Sequence, residues 1–235
     1  MFDSAVLFFM LRIWQKIKKL FLEVIYPINC LGCGHEGTWL CKDCEKKLPR
    51  DSGYMSLIDF SPSYLEAIIM ASDWQNVVLQ KTIHAYKYNF AQELSLVLAK
   101  LLIIKINLLA EVYPAIKDFI LVGVPLHRKR RAWRGFNQAE LLAELVGQEL
   151  KMTASSNLIK RIKNTKPQVK LNSWGREKNI KGAFKVNLKD LEMIKDRNII
   201  LIDDVMTTGA TMNECARVLK EAGVKIIWGL AVARG

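Results

Sequence analysis

Residues 198–211 read Asn198-Ile199-Ile200-Leu201-Ile202-Asp203-Asp204-Val205-Met206-Thr207-Thr208-Gly209-Ala210-Thr211. The apolar run Ile199 to Ile202 suits a strand buried on both faces, as the central strands of parallel sheets are. The chain changes character where that run stops, and ligands of open parallel sheets bind at the carboxyl ends of the strands. Two adjacent carboxylates, Asp203 and Asp204, can accept hydrogen bonds from vicinal ribose hydroxyls, directly or through hydrated Mg²⁺. The next turn, Thr207, Thr208, Gly209, Ala210 and Thr211, offers backbone N–H groups and hydroxyls to a phosphate at the positive end of a following helix. Gly209 lets the backbone come close. The stretch has neither the Gly-Lys-Ser/Thr ending of a Walker loop nor the Rossmann glycine fingerprint.

Outward from this stretch, strands alternate with helices. Downstream, Met212 to Ala222 reads as a helix capped by Gly223, and Val224 to Val232 as a last strand. Upstream, Ala67 to Ala71 and Phe119 to Val124 are short apolar strands, the second stopped by Pro125. Helical patterns cover Trp74 to Tyr86 (with Val77 and Ile83 inward), Leu94 to Leu109, and Gln138 to Leu150. The alternation predicts an α/β fold, a parallel sheet flanked by helices. A chain of 235 residues, 51% of them hydrophobic, can bury one such core and one small accessory unit. The domains expected are 1–50 and 51–235, with Pro49 to Gly53 as a polar linker.

The formal net charge is +12. Such an excess favours an anionic partner, although it also serves solubility. The charge gathers after His127, where Arg128, Lys129, Arg130, Arg131 and Arg134 crowd one loop. Arginine forks bind phosphate oxygens bidentately. With Trp133 and Phe136 interleaved, the same loop suits single-stranded nucleic acid, bases stacking on the rings and phosphates on the cations. A solvated basic face is the remaining reading. Lys87 adds another phosphate contact or is an exposed lysine. A second polar, basic stretch from 160 to 178 reads as a long loop.

Four of the five cysteines fall in Cys30-x-x-Cys33 and Cys41-x-x-Cys44. Two residues between cysteines let both thiolates reach one ion, and two such knuckles close a tetrahedral zinc site with no position left for substrate. Structural zinc is expected, in a module too small to stay folded without it. Gly32 and Gly34 supply the turns. An iron–sulfur cluster or a redox dithiol pair are the alternatives, and His35 is a competing ligand or a solvated loop residue. Cys215, alone on a helix, reads as a small packed hydrophobe.

The first ten residues are apolar but too short for a membrane span, and they lack the basic start and cleavage site of a signal peptide. Met10 opens a tidier amphipathic helix, with Ile13, Ile17, Leu20, Phe21 and Val24 on one face and Lys16, Lys18 and Lys19 off it. That makes Met10 an alternative start. The helix either packs on its own domain or rests on a membrane surface.

The stretch 198–211 resembles the phosphoribosyl pyrophosphate (PRPP) loop of type I phosphoribosyltransferases. The resemblance implies that Asp203 and Asp204 hold the ribose hydroxyls, with Mg²⁺ accompanying PRPP, and that Thr207 to Thr211 hold the 5′-phosphate. It gives the loop after the second strand, Arg128 to Arg134, the pyrophosphate, and makes Arg161 to Phe184 a flexible lid carrying Lys163, Lys166, Lys170, Arg176 and Lys178. A wider set of marks resembles the ComF family of competence proteins. They are Tyr26-Pro27 before the two knuckles, His84-x-x-Lys87-Tyr88, Arg134-Gly135-Phe136-Asn137-Gln138-Ala139, Gln168-x-x-Leu171, Arg176-x-x-Asn179 and Gly182-Ala183-Phe184. This resemblance covers the chain from about Met10 onward. It implies a bacterial cytoplasmic protein of natural transformation, either free in the cytoplasm or peripherally associated with the inner face of the membrane. Such a protein would handle incoming single-stranded DNA with a DNA-translocating helicase or recombination proteins. The alternative it implies is an active Mg-dependent phosphoribosyltransferase, amidophosphoribosyltransferase-like, whose acceptor the sequence does not announce.

Overall fold

The computed structural model describes residues 27–51, 55–56, 63–163 and 179–235. The helix opened by Met10, the motif residues Gln168 to Lys178 and the lysines at 166 and 170 lie outside the described residues. The chain divides into two compact units between Lys47 and Leu48.

The described part of the first unit is a pair of tight turns and one short helix, α1 (Lys42–Lys46). The N–H of Cys30 donates to the His35 carbonyl, and the N–H of Gly34 donates back to the Cys30 carbonyl, both at 2.8 Å. Gly34 and Gly37 take the left-handed backbone that these turns demand. Gly32, expected to share that task, does not.

In the larger unit a short edge strand, β1 (Met55–Ser56), precedes β2 (Ala67–Met70). Then come α2 (Val77–Tyr88), α3 (Leu94–Val112), β3 (Ile120–Gly123), α4 (Arg128–Arg134) and α5 (Gln138–Leu150). The chain continues through β4 (Ala154–Ser155), β5 (Ile159–Arg161), β6 (Phe184–Val186) and α6 (Leu191–Ile194). It ends with β7 (Asn198–Met206), α7 (Ala210–Glu221) and β8 (Ile226–Arg234). The main sheet has the order β1-β2-β8-β7-β3-β4. Five of its strands run parallel, and β1 pairs antiparallel at one edge. Strands β5 and β6 form a separate antiparallel ribbon at the two roots of the segment between 162 and 183.

The centre of the sheet is apolar because it is covered twice. Ile199 and Leu201 of β7 pack with Cys215, Ala216 and Leu219 of α7. Alternation along the strand turns Ile200 and Ile202 the other way, where α5 packs on β7 and α3 on α5. Each such isoleucine contributes roughly 1.5–3 kcal/mol on burial. At Gly123 an added Cβ would lie 2.5 Å from the backbone N of Glu140, so only glycine lets α5 seat directly on the end of β3.

Some expectations are corrected here. Val77, expected inward, is 59% exposed, because α2 begins there behind the Asn76 cap and turns Leu79 and Ile83 to the core. The basic run after His127 is not a loop. It is α4, started by the His127 ring accepting from the N–H of Lys129 and ended at left-handed Gly135. Pro49 to Asp51 does not run free, since the Pro49 carbonyl accepts from the Ser72 hydroxyl and Asp51 pairs with buried Lys105 at 2.6 Å. Finally, β7 does not stop at Ile202 but runs to Met206, carrying both aspartates inside the ladder.

Candidate functional site

A cleft of about 560 Å³ opens at the carboxyl ends of β3 and β7. Its floor is the acidic pair. Asp203 stands opposite Ala231 in the β7–β8 ladder, so its backbone is fixed by the sheet. Its Oδ1 accepts from the N–H of Asp204 at 2.8 Å, and Asp204 Oδ1 accepts from the N–H of Val205 at 2.6 Å. Asp204 is buried and meets the ammonium of Lys87 at 2.9 Å. Burial, and then the neighbouring Asp204 charge, push the Asp203 carboxyl up to about 8. Lys87 moves the other way from what burial alone would do. Burial lowers its pKa, but the two aspartates outweigh that and hold the ammonium above its ordinary value. The floor is therefore one carboxylate paired with the Lys87 ammonium beside a second carboxyl that resists ionisation.

The phosphate cradle follows within four residues. Thr207, Gly209, Ala210 and Thr211 line the cleft. Gly209 is left-handed and precedes the 12-residue helix α7, whose N-terminal, positive end opens on the cleft. The Thr208 hydroxyl is buried without a hydrogen-bond partner among the described residues. Thr208, expected in the cradle, does not itself line the cleft.

The cationic wall is α4, and it divides the residues singled out in sequence. Arg130 and Arg134 line the cleft, as does Arg161 from β5. Arg128 and Lys129 lie on the exposed side of the helix. Arg131 turns away to pair with buried Glu140 at 2.9 Å. Arg134 donates to Gln138 Oε1 at 2.9 Å and lies over the Tyr88 ring, 5.2 Å from its centre. Its Nε and Gln138 Nε2 are buried without partners among the described residues. Burial, then the adjacent Arg134, lower the pKa of Arg130, while burial and Arg130 bring Arg161 down to about 10. An anion between these guanidiniums would relieve both effects.

Sequence reasoning missed Tyr88 and Trp133 as cleft-lining neighbours, because they come from different helices. It also gave Phe136 a stacking role. That ring instead packs inward on buried Tyr86, 5.4 Å between centres, and Tyr86 anchors its hydroxyl on the Gln138 carbonyl at 3.0 Å.

In the first unit the sulfurs of Cys30, Cys33, Cys41 and Cys44 all lie within 4.8 Å of one another. Tetrahedral zinc with Zn–S bonds near 2.3 Å places its sulfurs about 3.8 Å apart. Cys33 and Cys41 stand at 3.7 Å. The N–H of Cys41 also points at Cys30 Sγ, 3.3 Å away. The donor set thus fits a metal ion. His35 is not among the gathered groups. Cys215 is fully buried in the other unit.

Comparison with known proteins agrees with this geometry. A phosphoribosyl transferase domain matches residues 136–234. Competence protein F of Haemophilus influenzae is 29% identical over 206 residues, covering 87% of this chain and 84% of that protein. DNA utilization protein YhgH of Escherichia coli K12 is 27% identical over 201 residues, covering 84% and 80%. Competence protein ComFC of Bacillus subtilis is 30% identical over 232 residues, covering 85% and 91%. With a parallel sheet flanked by helices, a four-cysteine cluster ahead of it and relatives matched along most of their length, the chain belongs to the ComF family of competence proteins, built on a phosphoribosyltransferase fold.

Proposed function

We propose that this protein serves competence and DNA utilisation, as the names of its relatives say of them, by handling incoming single-stranded DNA on the cytoplasmic side with a cleft that binds PRPP. The observation that carries the reading is the convergence of an acidic pair, a helix N-terminus and three arginines in one cleft. A groove made only for a DNA backbone would not put two carboxylates on its floor, since they repel phosphate. A sugar with vicinal hydroxyls suits them.

In this reading Asp203 and Asp204 accept from the ribose hydroxyls. Thr207 to Thr211 and the start of α7 take the 5′-phosphate. Arg130 and Arg134 take the pyrophosphate, and the exposed Arg128 and Lys129 track a DNA strand beyond the rim. Mg²⁺ arriving with PRPP would neutralise the pyrophosphate. The four cysteines hold a structural Zn²⁺, leaving no open ligand position for chemistry. Recombination proteins, a DNA-translocating helicase and the inner membrane surface are the partners this role calls for.

Calorimetry with PRPP and Mg²⁺ tests the site. Asp203→Ala/Asp204→Ala should abolish the heat of binding and lower transformation frequency while internalised DNA stays constant. Wild-type binding and transformation in that variant would remove the reading. A second reading, turnover of PRPP, is favoured by the cleft itself, which sets arginines where a departing pyrophosphate would gather charge. Pyrophosphate release from labelled PRPP, lost in the same variant, would establish it.

A further inference from the structure

Three large aromatic side chains stand exposed together at the rim of the cleft: Tyr88 at 42%, Phe90 at 62% and Trp133 at 57%. Tyr88 and Trp133 also line the cleft that holds the acidic pair. The Trp133 ring lies 6.2 Å from Tyr88 and 6.3 Å from Phe90, each tilted by a little over 50°. The Arg134 guanidinium covers the Tyr88 ring at 5.2 Å, and His84 stacks behind it at 4.8 Å.

This arrangement is not what folding alone selects. Phe90 has a backbone φ of +56°. That left-handed conformation is unfavourable for a bulky L-residue, and glycine or asparagine normally fills such a turn. The ring is left mostly in solvent. A side chain that adds backbone strain and remains in solvent is kept for something outside the chain. The company it keeps is cationic. Trp133 sits on α4 between Arg131 and Arg134, with Arg128 and Lys129 exposed on the same helix. Exposed rings interleaved with cations match the chemistry of an unpaired nucleobase flanked by phosphates. A duplex, with its bases already stacked, cannot use them.

We infer that Tyr88, Phe90 and Trp133 form a stacking platform for the bases of single-stranded nucleic acid, placed so that a strand on α4 lays a base at the mouth of the cleft. This rests on the DNA-handling reading above, and it adds that the strand is held by its bases as well as its backbone.

The test is fluorescence anisotropy with two labelled oligonucleotides of equal length, one of thymidines and one of abasic deoxyribose phosphates, at fixed salt. Wild-type protein should prefer the thymidine strand by roughly ten- to a hundredfold, the range that base–aromatic stacking supplies. Phe90→Asn and Trp133→Leu should each remove a large part of that preference. Phe90→Asn should do so with the abasic affinity unchanged and the melting temperature equal or higher, because asparagine tolerates the left-handed turn. Equal binding of both strands by the wild type overturns the platform but leaves backbone handling of DNA intact, and would point to a protein as the occupant of the rings. A thymidine preference that survives both substitutions also overturns it. Binding of neither strand at low salt removes both readings.

Discussion

The cysteine unit and the strand-end cleft both bring together groups that repel one another, and they manage it by opposite means. Cys30, Cys33, Cys41 and Cys44 converge through turns only a few residues long. In the cleft, Lys87, Arg130, Arg161, Asp203 and Asp204 come from α2, α4, β5 and β7, and a buried sheet holds them in place before any ligand arrives. On the proposed reading, the first arrangement depends on its ion for existence, whereas the second depends on its ligand only for electrostatic relief. Local spacing makes a site that must be assembled by what it binds. A sheet makes one that waits.

The sharpest way to break this contrast is to remove metal. A strong chelator, or Cys44→Ser, should unfold the segment 27–47, since structural zinc in small modules contributes on the order of 10 kcal/mol or more to folding. Hydrogen exchange should then be fast there and unchanged in β7 and β8. Protection retained in 27–47 without metal would contradict it.

A smaller effect is expected in the cleft. Lys87→Met leaves the buried Asp204 without its counter-charge and should lower stability by about 3 kcal/mol at pH 7, read as a shift in the urea midpoint. A variant as stable as the wild type would mean that the floor is not preorganised by this pair. Gly123→Ala should cost about 2–3 kcal/mol by forcing α5 off β3, since the new methyl meets backbone and not a yielding side chain.

The most gradual expected effect is a pH dependence. The folded Asp203 pKa, about 8, lies above its ordinary value of 3.8, so the native state binds a proton that the unfolded chain has released between those limits. Stability from this group is therefore full below about pH 4, falls as pH rises, and levels off above about pH 8. Asp203→Asn should flatten that slope and raise the melting temperature at pH 8 relative to the wild type, with no gain at pH 4. An unchanged slope would show that Asp203 ionises freely.

What could be read in advance follows the same division. The knuckles and the run from Ile199 to Thr211 were legible because their chemistry is contiguous in the chain. The extent of β7 was not, since two aspartates look like the end of a strand until β8 is seen to pair with them through Arg234. Nor could spacing divide the basic run. Once it winds into α4, Arg130 and Arg134 share the cleft face, while Arg131 finds Glu140 on the other side. Nor could spacing place Phe136 or Phe90, for the same reason. The first lies beside a core tyrosine that only the fold brings near, and the second is exposed by a turn that no residue pattern advertises.

Because β7 carries the acidic pair inside a ladder that continues to Met206 and Arg234, the deepest part of the cleft shares the rigidity of the hydrophobic centre. Whatever settles there cannot be accommodated from below. Any fitting between guest and host has to be done by the parts that overhang it, so selectivity among different guests is decided at the entrance, and the depth supplies a fixed gauge against which each one is measured.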